Sequence, residues 1–389
     1  MWLRSALLIA LPLVSALPRW SWDTLPTYFH CANLSGPFSD DAIAAIGKSS
    51  FAVFEKMSGM FSPPENTAAE SKIVSECARV KAVSPTTDCY MYTESDWART
   101  WFSLGWQFDA HPEWELRLDA QRGSPLQNTT EYEPDDAGAQ HAYYFRAYDF
   151  SVPAAQAAWV SRVAAFYANS SGALNGAFID GNRGGWGSSI LSGTTPAHAA
   201  AWSKGLAAAH AALAAALGPH GTLISNYFTA EAQAVCSGGM IERGGAGLND
   251  VQSLQYYANQ TCGLFKTPCL VDFHAQYAEV THSAAYNATL AAFLAGMGKY
   301  AYYGRGGGWG GNGAAACASW LERPAEFSKP LGEPKGAAAE VKPGVFTREF
   351  ATGTKVYVDT SKGGGHCIWW SDGSVTGNAA NCPNPASLF

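Results

Sequence analysis

The chain has 389 residues, 47% of them hydrophobic and 15% charged. That is enough apolar material for a large core, such as one barrel of about 250 residues with a smaller appendage, and it excludes disorder. A net charge of −7, with no basic cluster, argues against nucleic acid or an anionic membrane as partner.

The N-terminus reads as a leader. Arg4 supplies the positive end, Ala6 to Val14 are apolar, and Val14-Ser15-Ala16 offers small residues for cleavage before Leu17. The apolar run is too short to span a bilayer. Asn-x-Ser/Thr triplets follow at Asn33, Asn128, Asn169, Asn259 and Asn287, which with the leader point to a secreted or endolysosomal (vacuolar) glycoprotein. Nine cysteines fit disulfides in an oxidising compartment, with one thiol left over. Cys262 with Cys269 and Cys367 with Cys382 are the closest neighbours, although sequence alone leaves the pairing open. No CxxC or HxxxH spacing suggests a metal, and no cofactor motif occurs.

From residue 26 onward, apolar runs end in polar residues and alternate with helical patterns. PTYFHCAN (26–33) carries His30, SSFAVFEKM (49–57) carries Glu55, and TTDCYMYTES (86–95) ends on Glu94. Helices are predicted over Asp40 to Gly47 and Glu65 to Val83. GAFIDGNRGGW (176–186) is a short buried strand that stops on Asp180 and opens into a glycine loop holding Asn182, Arg183 and Trp186. Then come an Ala-rich helix over Pro196 to Leu217, GTLISNYF (221–228) with Asn226, and GGMIERGG (238–245) with Glu242. PCLVDFHAQ (268–276) carries Asp272 and His274. A helix over Ala284 to Met297 precedes KYAYYGRGGGWG (299–310), with Arg305 and Trp309. Eight such units predict an α/β (β/α)8 TIM barrel over 17–325, with a small C-terminal β-module over 326–389. A doubly wound sheet is the competing architecture, but no Gly-rich phosphate turn follows the first strand. The long aromatic stretch 106–150 exceeds an ordinary loop and is expected over the barrel mouth.

In such a barrel the strand ends converge on one rim. Asp180 and Glu242 are the expected catalytic pair, one carboxylate acting as nucleophile or base and one carboxylic acid protonating a leaving oxygen. Their separation, and with it retention or inversion, is not legible. Trp186 and Trp309 follow strands four and eight, on opposite sides of a closed eight-stranded barrel, where indole faces could flank a sugar ring. His30, Glu55, Glu94, Asn182, Arg183, Asn226, Asp272, His274 and Arg305 complete the candidate binding set. Glu55 beside Lys56 is equally readable as a buried ion pair, and Glu242 with Arg243 as a structural one. No GxSxG elbow supports a serine hydrolase.

HPEWELRLDAQRGSPLQN (111–128) followed by YDFSVPAAQAAWV (148–160) resembles the pattern preceding the fourth strand of glycoside-hydrolase-like TIM barrels related to the α-galactosidase and α-amylase superfamily. Asp180-Gly181-Asn182-Arg183 is similar to the D-x-N-R in which raffinose-type α-galactosidases place their nucleophile. The resemblance implies Asp180 as nucleophile and Glu242 as general acid, where those enzymes usually carry Asp, with an oligo- or polysaccharide as substrate. PLGEPKG and REFATGTKVYVD resemble the β-module that follows such barrels. A non-catalytic carbohydrate-binding protein, or a hydrolase using His274 with Asp272, are the alternatives.

Overall fold

The computed structural model describes residues 17–60, 68–99, 101–118, 124–125, 131–134, 140–143, 145–181, 191, 193–311, 317–377 and 381–389. The predicted leader, Asn128, Asn182, Arg183 and Trp186 lie outside the described residues.

Eight parallel strands form the core: β1 (Tyr28–Asn33), β2 (Phe51–Phe54), β3 (Asp88–Glu94), β4 (Gly176–Asp180), β5 (Thr222–Asn226), β6 (Gly238–Gly244), β7 (Leu270–Ala275) and β8 (Ala301–Arg305). Strands covered on both faces need apolar residues at nearly every position, which is why Phe51-Ala52-Val53-Phe54 and Ala177-Phe178-Ile179 are unbroken apolar runs. The sheet closes where β1 meets β8. Thr27 bridges Tyr303, and Tyr303 N donates to Pro26 O at 2.9 Å. Beyond β8 the chain returns to β1, pairing Gly310 with Ala32 and Gly311 with Asn33. The Cys31–Cys317 disulfide fastens the same seam. All eight strands fall where the apolar runs predicted them.

Helices fill the intervals: α1 (Asp40–Ile46), α2 (Ala69–Val83), α3 (Pro153–Asn169), α4 (Pro196–Leu217), α5 (Ala230–Val235), α6 (Leu248–Ala258), α7 (Ala284–Gly296) and α8 (Ala318–Leu321). Their starts follow local chemistry. Ser39, Thr195, Thr229 and Ser283 each accept a first-turn backbone N–H, and Pro153 and Pro196 occupy N-terminal positions that need no donor. Among the described residues, no helix is long and apolar enough to cross a membrane.

A five-stranded antiparallel sheet follows: β9 (Ala339–Lys342), β10 (Val345–Glu349), β11 (Lys355–Asp359), β12 (His366–Trp369) and β13 (Val375–Gly377). It packs on α7, whose Leu290, Phe293 and Leu294 share one apolar cluster with Phe346, Val356, Val358, Ile368 and Trp370. This explains why α7 is apolar on all sides, since barrel and sheet cover it from both directions. The remaining disulfides are Cys77–Cys89, Cys262–Cys269 and Cys367–Cys382, leaving Cys236 free and buried.

In the long 106–150 stretch, Phe108, Trp114 and Leu116 join the main core. The returning strand Phe145–Ala147 pairs with Trp97–Arg99, just beyond the end of β3. Trp97 lines the cavity described next, so this return reaches its rim.

Candidate active site

At the carboxyl ends of the strands lies a cavity of about 240 Å³, walled by residues at the ends of β3 through β6 and in the loops after β2 and β8. Of the predicted site residues, Asp180, Glu242, Glu94, Asn226 and Trp309 line it. Register accounts for part of this. Asp180 pairs with Glu94 across β4 and β3, and the neighbouring β5 ends on Asn226.

The centre of the site is the Asn226 side-chain amide. Its Nδ2 donates to Asp180 Oδ1 at 2.8 Å and to Glu242 Oε2 at 3.3 Å. Those two distances place Asp180 Oδ1 and Glu242 Oε2 no more than about 6 Å apart, close enough for both carboxyls to face one substrate atom group. Asp180 Oδ1 also accepts from Gly181 N at 2.8 Å, and its Oδ2 accepts the Tyr92 hydroxyl. Lys56 Nζ donates to the same Tyr92 oxygen at 3.2 Å, so ammonium, phenol and carboxylate form a chain. Burial alone would raise the Asp180 pKa. The Lys56 charge and the donors Tyr92, Asn226 and Gly181 outweigh it and hold the carboxyl below its usual value.

Glu242 sits on an irregular stretch of β6, where pairing with β7 slips between Ile241 and Gly244. Arg243 takes a left-handed backbone there (φ 58°), and a Cβ on Gly244 would come within 2.5 Å of the Phe273 ring. Such a bulge re-aims the residue it carries. His274 braces it: Arg243 N donates to His274 Nδ1 at 3.3 Å, which leaves Nε2–H to donate to Gly306 O at 2.9 Å. Burial lowers the His274 pKa to about 4, so the ring is neutral near pH 7. Arg243 Nε stands 3.7 Å from Glu242 Oε1.

The other predicted residues support this arrangement from below or lie apart. His30 bonds Glu55 at 3.1 Å, and Glu55 also holds Lys56 at 3.1 Å. Burial raises the Glu55 pKa, but Lys56 and His30 bring it below the usual value, the mark of an ionised structural carboxylate. His30 and His274 pack under Trp309, with ring centroids 4.8 and 4.2 Å away. Asp272 is fully buried inside the barrel, and burial holds its carboxyl well above the usual range. Neither Asp272 oxygen has a hydrogen-bond partner among the described residues, and both His274 nitrogens engage backbone groups, so the two do not form an acid/base couple. Arg305 points elsewhere, binding Thr281, the Glu279 carbonyl and Glu322.

Sequence reasoning missed Lys56, Tyr92, Asp96 and Arg99. Arg99 Nη2 binds Glu94 Oε1 at 2.6 Å, and Lys56, Asp96 and Arg99 line the cavity. Strand alternation was the available signal for Tyr92, because Tyr90, Tyr92 and Glu94 share the inward face of β3. Among the described residues, no cluster of three or more His, Cys, Asp or Glu has the arrangement of a metal site.

Solved structures resembling the chain are carbohydrate-active enzymes at low identity. A GH31 family sulfoquinovosidase from E. rectale is 12% identical, with 67% of this chain and 39% of that one covered and a TM-score of 0.38. The GH36 α-galactosidase AgaA from Geobacillus stearothermophilus is 12% identical over 94% of this chain and 50% of its own, with a TM-score of 0.46. The cyclic α-maltosyl-(1→6)-maltose hydrolase from Arthrobacter globiformis is 12% identical over 95% and 92%, also at 0.46. The chain thus spans half or less of the first two, and similarity at this level carries no argument about mechanism. No curated protein gives a significant match. The family model described as hypothetical glycosyl hydrolase family 15 (GHL15) matches residues 81–354, most of the chain and nearly all of the cavity wall, and the chain belongs to that family.

Proposed function

We propose that this protein is a retaining glycoside hydrolase acting on an O-glycosidic bond of an oligo- or polysaccharide, with Asp180 as nucleophile and Glu242 as acid/base. The observation that carries this reading is the Asn226 amide set between the two carboxylates, which keeps Asp180 Oδ1 and Glu242 Oε2 within about 6 Å and so favours the closer spacing of retaining enzymes. In the first step an Asp180 oxygen attacks the anomeric carbon while Glu242 gives its proton to the departing glycosidic oxygen. In the second, Glu242 takes a proton from water, whose oxygen attacks the same carbon and releases Asp180. Lys56, Tyr92 and Gly181 favour the ionised Asp180 that the first step requires. Trp309 offers an indole face to the sugar.

The route is secretory in this reading, with cleavage before Leu17. Asn169 and Asn259, both exposed, suit glycan attachment better than the buried Asn33. The catalytic barrel spans 17–325, and the module 326–389 buttresses it.

A glycan panel with Asp180→Asn and Glu242→Gln tests the assignment. Asp180→Asn should abolish turnover of every substrate. Glu242→Gln should cost about 10²- to 10⁴-fold where the leaving group needs a proton, and far less for a 4-nitrophenyl glycoside, whose phenolate departs unaided. Full activity in either variant on natural glycans removes these roles. Binding without turnover in the wild-type protein would instead support a carbohydrate-binding protein.

A further inference from the structure

Asp96 lies two residues beyond the end of β3, where the chain turns into the short strand Trp97–Arg99. The backbone around it is fixed from both sides. Ser95 N and Oγ each donate to Asp180 O at 2.9 Å, and Tyr148 N donates to Asp96 O at 3.2 Å. Its carboxyl is pressed against the bend after β4. A Cβ on Gly181 would lie 1.9 Å from Asp96 Oδ1, so only glycine, here with φ +77°, admits the carboxyl.

Asp96 is 2% exposed and forms part of the cavity wall, yet its Oδ1 has no hydrogen-bond partner among the described residues. A buried oxygen without a partner is costly, and in a cavity wall, unlike the sealed site of Asp272, a bound ligand can supply the missing bond. Burial, then the charges of Glu94 and Asp180, holds the carboxyl well above its usual range and so favours the protonated form, which can donate as well as accept. It stands on the Asp180 side of the cavity, in the turn that follows β3, the strand neighbouring β4, while Glu242 lies on β6.

Resting on the glycosidase reading, we infer that Asp96 is a specificity-determining residue that hydrogen-bonds one ring hydroxyl of the sugar whose anomeric carbon meets Asp180.

The test is a kinetic cycle on the 4-nitrophenyl glycoside that the wild-type protein turns over fastest, together with its monodeoxy analogues. Wild type should lose about 30-fold or more in kcat/KM at one deoxy position, and Asp96→Ala should lose the same factor on the parent glycoside but little further at that position. Asp96→Asn, whose amide both donates and accepts, should keep the discrimination. If Asp96→Ala does not fold, Asp96→Ser, too short to reach, takes its place against Asp96→Asn. Equal responses of wild type and variant at every position overturn the role of Asp96. Absence of wild-type turnover on every glycoside overturns the glycosidase reading instead.

Discussion

Asn226→Ala is the most informative single perturbation of the carboxylate pair. It removes the 2.8 Å bond to Asp180 Oδ1 and the longer 3.3 Å bond to Glu242 Oε2. A hydrogen bond to a charged group contributes about 1.5 to 3 kcal/mol, equal to about one to two pH units in the acidity of its acceptor. The 2.8 Å bond takes most of that. Water entering the open cavity replaces part of it, so the lower figure applies. The sign follows from which form the donor favours: an ionised Asp180 that loses a donor binds its proton more tightly. The acid limb of the kcat/KM profile should therefore move upward by about one pH unit, with activity at the optimum falling about 10-fold or more as the two carboxylates lose their common tether. The assay is the pH dependence of kcat/KM for wild type and variant, with thermal unfolding recorded to establish folding. An acid limb that stays in place or moves to lower pH would refute the reasoning.

Two further outcomes test the scaffold. His210 is buried on α4 with its ring 5.7 Å from Trp159, and burial lowers its pKa from 6.5 to about 4. The unfolded chain therefore binds a proton between those values that the folded protein refuses, so His210 withdraws stability as pH falls from 6.5 towards 4. His210→Leu should gain in thermal midpoint relative to wild type on acidification across that window, and parallel curves would contradict the assignment. The Cys31–Cys317 disulfide links residues 286 apart at the barrel seam, so the Cys31→Ala/Cys317→Ala pair should lose about 2 to 5 kcal/mol in chemical denaturation. An unchanged midpoint would mean that the strand pairing alone secures the closure.

The barrel was legible because each parallel strand must be apolar on both faces and ends in polar residues at the rim, as Gly176 to Asp180 does. Helices α3 and α6 were less so. The register of α3 is diluted by alanine on its outer face, and α6 mixes Asn249, Asp250, Gln252 and Gln255 with only Val251 and Leu254 fully buried. Asp180, Glu242 and Asn226 were picked out as strand-end residues, but their common contact depends on the irregularity in β6, which no sequence signal marks. Asp96 escaped notice because Glu94 already ended its strand, and the approach to Gly181 that places it is a tertiary contact. His274 and Asp272 looked like a couple by spacing alone, and their opposite fates come from depth: one braces a loop beneath Trp309, the other is sealed inside the barrel.

The central claim, that Asp180 is the nucleophile of a retaining reaction, is tested most directly by trapping. The wild-type protein, incubated with a fluorinated, activated glycoside of its substrate sugar, is digested and its peptides weighed. The account predicts one glycosyl adduct, on the peptide containing Asp180, that is lost on transfer to water or an acceptor sugar. Turnover of the parent glycoside with an inverted product and no adduct, or an adduct on a different carboxylate, would contradict it.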